Sequence, residues 1–168
     1  VCTYRDDYGP NIQPKIESGM PVILAECYQT CGLKGNEKQH QAAYDEGKNY
    51  DKLTVENNFF WFMRSQSKTT TKKGRGGSWG LGKLAIPMAS SVRTFFTVTS
   101  RKENNDRLLS GMAILSDHNY MNTNYQPRMY FAENDLLDSE FPHSWSPIND
   151  QLEIDNFCKI FKVERKVE

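Results

Sequence analysis

Apolar residues fall in short clusters along this chain, separated by long polar stretches. Residues 1–7 read as a short strand, followed by a turn-rich connection through Gly9, Pro10, Pro14 and Gly19. Pro21 to Glu26 (PVILAE) is an uninterrupted apolar run of strand length and predicts a central strand covered on both faces. The polar segment CYQTCGLKGN, with Gly32 and Gly35, predicts a loop leaving the end of that strand. Residues 37–58 are strongly polar, and a partly helical or a partly mobile segment fits them equally. In residues 59–65, Phe59, Phe62 and Met63 stand at i, i+3 and i+4, as on the apolar face of a helix or a buried turn.

A basic, hydroxyl-rich stretch then leads into the glycines, with the composition of a lid over Ser67 to Gly77. Leu84 to Ser91 predicts a short helix, with Pro87 in its first turn or at a kink. VRTFFTVTSR is rich in β-branched and aromatic residues and predicts a strand, KENNDR a turn, and LLSGMAILS the antiparallel partner. The region from Asp117 to Asp150 is loop-heavy, with Ser116 to Asn119 as a turn. QLEIDNFCKIFKVERK closes on helical spacing at Leu152, Ile154, Phe157, Ile160 and Phe161. Interleaved strands and helices with an antiparallel hairpin predict a fold of the α/β or α+β class. The expected architecture is a two-layer sandwich, helices packed on one face of a mixed, mostly antiparallel sheet.

Length and charge narrow this picture. The 168 residues suit one domain, 1–168, and 21 basic against 21 acidic residues leave no global field to attract nucleic acid or an anionic membrane. No apolar run approaches the roughly 20 residues of a membrane helix. A soluble, cytoplasmic protein is expected. Cys2, Cys27, Cys31 and Cys158 are too scattered for a disulfide framework, and no second Cys or His pair stands near Cys27 and Cys31 at zinc spacing. His40, His118 and His143 belong to no nucleophilic triad. Arg64, Arg75 and Arg93 read as ordinary surface residues, although Arg75 lies where it could reach a phosphate.

The candidate chemistry sits in GRGGSWGLGK, where Gly74, Gly76, Gly77, Gly80 and Gly82 precede Lys83. Glycine lets backbone amides approach an anion closely and turn toward one oxygen. A helix beginning directly behind adds its unsatisfied N–H groups and the positive end of its dipole. Two designs compete. Gly77 to Lys83 fits the P-loop spacing GxxxxGK, but Leu84 stands where a magnesium-binding hydroxyl is needed, and a polar loop precedes it instead of a buried strand. In the other design, Gly77, Gly80 and Gly82 form a GxxGxG cluster that resembles the one closing the ATP lid of the GHKL ATPases. That resemblance implies an acidic residue at the end of a strand, followed by glycines, to accept the adenine amino group. Asp7 with Gly9 and Glu26 with Thr30, Gly32 and Gly35 both qualify, and Glu26 has the better strand before it.

This second pattern resembles the GHKL, or Bergerat-fold, ATPases, the superfamily of type II topoisomerases, heat-shock chaperones, sensor kinases and mismatch-repair ATPases. ECYQTCGLKG and GGSWGLGK are similar to motifs of a bacterial branch of ATP-binding proteins, some of them near DNA-modification and phage-defence loci. The resemblance implies ATP with Mg²⁺ as cofactors, and ATP contacts from Glu26, Cys27, Thr30, Gly32, Leu33, Gly76, Gly77, Ser78, Trp79, Gly80, Leu81, Gly82 and Lys83. Trp79 would either stack on the base or pack in the core. Cys27 stands where the branch places its adenine-binding Asp; a thiol is a weak partner, so Glu26 takes the role or adenine recognition weakens. The resemblance also puts a general-base Glu and a magnesium-binding Asn before Val1 and a last strand after Glu168. It names no catalytic residue in this chain. It allows a homodimer, gives nucleic acid a place only through other domains, and leaves a degenerate, nucleotide-free interaction module as the alternative to an ATPase.

Overall fold

The computed structural model describes residues 21–44, 46, 50–65, 82–134 and 145–163. The expected strand over residues 1–7 and the lid lie outside them. The fold is α+β, built on an antiparallel sheet of three strands in the order β1 (Thr94–Arg101), β2 (Asp106–Ile114), β5 (Arg128–Phe131). The expected hairpin is present. Residues 102–105 turn the chain with Asn105 at φ 50°, a left-handed conformation that asparagine tolerates better than most residues. Two small ribbons flank the sheet: β3 (His118–Tyr120) with β4 (Thr123–Tyr125), and β6 (Glu133–Asn134) with β7 (Trp145–Ser146). Met121 and Asn122, both at positive φ, form the two-residue turn of the first ribbon, as a type I′ hairpin requires. The turn expected at Ser116 to Asn119 therefore gives way to a strand beginning at His118.

Strand alternation sorts the sheet's side chains onto two faces. On one, Phe95, Leu108 and Met112 pack with Phe59 and Met63, and Leu33, Phe62, Ile114, Tyr130 and Trp145 close the margin. On the other, Leu109 packs with Ile148 and Ile154, beside Val98, Phe157 and Cys158. Phe96, Phe131, Phe157 and Phe161 extend this second face as an aromatic cluster. Leu108 to Met112 is consequently buried without interruption.

The helices are short. Asp51 caps α1 (Lys52–Glu56), its side chain accepting from the Thr54 amide. The aromatic segment winds as a π-turn over Phe60–Arg64, closed by the Ser65 amide donating to the Phe60 carbonyl at 2.9 Å. This wider winding buries Phe60 and Trp61 along with Phe59 and Met63, and leaves Phe62 half-buried. A helix α2 (Gly82–Ala89) follows the glycine cluster, two residues ahead of the expected Leu84 start, with Pro87 inside it. The last helix, α3 (Gln151–Ile160), is capped by Asp150, whose carboxylate accepts from the Leu152 and Glu153 amides at 2.8 and 3.0 Å. Its inward stripe is Ile154, buried, with Phe157 and Cys158 half-buried and Phe161 half-buried just past its end. Leu152 and Ile160 face outward, 75% and 73% exposed.

One expected element is corrected. Pro21 to Glu26 forms no strand among the described residues, and Val22, Ile23 and Leu24 are exposed, Ile23 by 85%. A strand needs a paired edge and a covered face, and this segment has neither among the described residues. The strand covered on both faces is β2.

Candidate functional site

The segment that leaves Pro21 to Glu26 has an exposed arm and a pinned foot. In the arm, Glu26, Cys27, Tyr28, Gln29, Thr30 and Cys31 are all exposed. The Tyr28 hydroxyl donates to the Glu26 carboxylate at 2.9 Å, and Gln29 turns the backbone at φ 55°. Glu26, Cys27 and Thr30 thus present a carboxylate, a thiol and a hydroxyl toward solvent on one short stretch.

The foot begins at Gly32, with φ +74°. A Cβ there would lie 2.0 Å from the Ser100 carbonyl oxygen, so only glycine fits between the loop and β1. Leu33 donates its amide to Thr99 Oγ1 at 2.8 Å and lays its side chain against the core. Gly35, at φ +104°, has no room for a Cβ, which would stand 2.5 Å from the Cα of Asn57. Its amide donates to Glu103 Oε1 at 3.0 Å, and its carbonyl accepts from Arg101 Nη1 at 3.1 Å. Gly32 and Gly35, the two glycines of the TxGLxG pattern at residues 30–35, are therefore explained by close packing onto the strand and onto Asn57.

Asn57 and Arg101 complete the foot. Asn57 is 1% exposed; it donates to the Asn36 carbonyl and to Gln39 Oε1 at 2.7 and 2.8 Å and accepts from the Phe60 amide at 2.9 Å. Arg101, 2% exposed, donates to Asp106 through Nε at 2.8 Å and through Nη2, and to Glu37 Oε2 at 2.9 Å. A buried guanidinium without such partners would be costly; here two carboxylates and a carbonyl satisfy it. The hydrogen bond from Arg101 holds the Asp106 carboxyl below its usual range, and the same bond raises the Arg101 pKa further.

Arg64, read from the sequence as a surface residue, is instead half-buried. Its guanidinium lies 3.9 Å over the Trp145 ring, donates to the Glu37 and Trp145 carbonyls at 2.6 and 2.7 Å, and meets His40 Nδ1 at 2.8 Å. Burial pushes its pKa down to about 10, which leaves it charged at neutral pH. Beside it, a shallow cleft of about 210 Å³ is lined by Glu37, Lys38, Leu108, Glu133, Ser146, Pro147 and Asn149, none of them an expected nucleotide contact.

Of the second motif, Gly76, Gly77, Ser78, Trp79, Gly80 and Leu81 lie outside the described residues. Gly82 and Lys83 form the first turn of α2. Among the described residues no three His, Cys, Asp or Glu side chains gather as a metal site would require, and no helix is long and apolar enough to cross a membrane.

Asn57, Thr99, Arg101 and Glu103 escape a reading by motif. The available signal is alternation: Thr97, Thr99 and Arg101 are polar at the same strand positions as Phe95, and a polar residue on a core-facing row needs a partner. Comparison with protein-family models, curated proteins and solved structures returns no match.

Proposed function

We propose that the chain is an ATP-binding module of the GHKL type. One observation carries this reading: α2 begins at Gly82, directly behind the glycine cluster, and leads into β1, whose far half anchors the TxGLxG loop. A helix start has amides without intrahelical acceptors and the positive end of a dipole, which suits a polyphosphate. In this reading Gly80, Gly82 and their neighbours offer amides to the phosphates, Ser78 a hydroxyl, and Lys83 a charge-assisted contact. The exposed arm, Glu26 to Thr30, takes the base, with Glu26 exchanging its bond from Tyr28 for one from the adenine amino group. Leu33 and Gly32 shape the loop from below. No described residue would hold magnesium; bound together with the nucleotide phosphates, it would supply charge neutralisation there. Hydrolysis would be in-line attack of water, mostly a matter of positioning.

Titration of the chain with a fluorescent ATP analogue tests the reading. Saturable binding is expected, competed by unlabelled ATP, and Lys83→Met should weaken it by about tenfold or more, the scale of one charged hydrogen bond. No binding at millimolar analogue would reject it. That result favours a nucleotide-free interaction module, which a specific observation supports: Pro21 to Leu24 is apolar yet exposed, and Cys27 lacks a carboxylate.

A further inference from the structure

The nucleotide reading treats Glu26 to Leu33 as one set of contacts, yet the structure divides the segment sharply. From Gly32 onward the β1–β2 hairpin engages the segment at several points: Ser100 backs Gly32, Thr99 holds the Leu33 amide, and Glu103 and Arg101 hold the amide and carbonyl of Gly35. Arg101 then reaches Glu37 and returns to its own hairpin at Asp106. From Pro21 to Cys31, every residue is exposed. A short loop whose one end is fixed over several residues has far fewer conformations than a free one.

We infer that Arg101 is a positioning residue for the base-binding arm: with Glu103 it locks the Gly32–Glu37 foot onto the β1–β2 hairpin and so sets where Glu26 to Thr30 stand. This rests on the nucleotide reading above. It assigns Gly32, Leu33 and Gly35 to anchorage and leaves ligand contact to the arm. It also makes β1 the physical link between the two proposed halves of the site, since α2 leads into its first residue and the foot is held near its last.

The test pairs amide hydrogen exchange with analogue affinity. Wild-type Leu33 and Gly35 amides should be protected. In Arg101→Met that protection should be lost, the loop standing open in most chains, while β2 amides keep theirs. Analogue affinity should then fall by about tenfold or more, because apparent affinity scales with the fraction of chains whose loop is competent. Arg101→Lys, which retains one ion pair, should restore part of both. Glu103→Ala removes only the acceptor of the Gly35 amide at an exposed turn, so it should preserve the fold and give a smaller loss in both readouts. Unchanged protection at Leu33 and Gly35 in the folded variants overturns the inference, and so does lost protection with unchanged affinity. A wild-type chain that takes up no analogue sinks the nucleotide reading instead, and the exchange arm still decides whether Arg101 holds the loop.

Discussion

At Arg101 a single side chain satisfies Asp106, Glu37 and a backbone carbonyl, and its energetics depend on the charge of its partners. Asp106 is held below the ordinary carboxylate range in the folded chain. Its ion pair therefore stabilises the fold at neutral pH, and that contribution is lost as pH falls below about 4 and through the lowered folded value. Asp106→Asn should lower the denaturation midpoint at neutral pH and flatten the acid limb of the stability profile, measured by urea unfolding across a pH series. Gly32 makes a different demand, for space and for a left-handed backbone. Gly32→Ala should cost on the order of 3 kcal/mol, combining positive-φ strain with a clash against a strand carbonyl that cannot move aside. Equilibrium denaturation reads that loss, and a value near zero would mean that the loop can lift from β1.

Elements whose pattern is local were legible in the sequence. The β1–β2 hairpin carries β-branched and aromatic strands about a polar turn, and it forms where the pattern puts it. The closing helix was legible too, although its exact stripe was not: Leu152 and Ile160 share the apolar spacing but face outward, because the face is chosen by contact with Leu109 and Val98, which no local pattern specifies. Pro21 to Glu26 was misread for the same reason. An apolar run states that burial would be favourable, while the strand also needs a neighbour to supply hydrogen bonds. In the candidate site, glycines and a carboxylate could be picked out by type, whereas the Arg101 and Asn57 anchorage joins residues far apart in sequence. The α3 geometry yields a graded prediction. Ile154→Ala should cost about 2–5 kcal/mol as a fully buried truncation. Asp150→Ala should cost about 1 kcal/mol as a lost cap, and Ile160→Ala should stay within about 0.5 kcal/mol. Thermal or urea unfolding of the three variants ranks them, and an equal cost at Ile160 would contradict the exposed position.

Among the described residues, β2 contributes to both hydrophobic cores. Leu108 and Met112 face the cluster built on Phe59 and Met63, and Leu109 faces the cluster built on Ile148 and Ile154. The coverings come from sequence well before and well after β2, so neither core closes until distant segments meet, and the loop-closure entropy of both must be offset by burial on a single strand. Ile148 contributes twice, by packing and by exchanging backbone hydrogen bonds with Leu109 at 2.9 Å in each direction. A chain ended after Ser146 would lose that pairing, α3 and the cover over Leu109 together. Because adjacent positions on β2 feed opposite cores, the damage should pass to the Phe59 side. The truncated chain should therefore lose cooperative unfolding altogether and bind an apolar dye such as ANS, where the full chain should show one transition. A truncated chain that kept a sharp transition and protected Phe95, Leu108 and Met112 amides would show that the two cores are independent, and that β2 does not couple them.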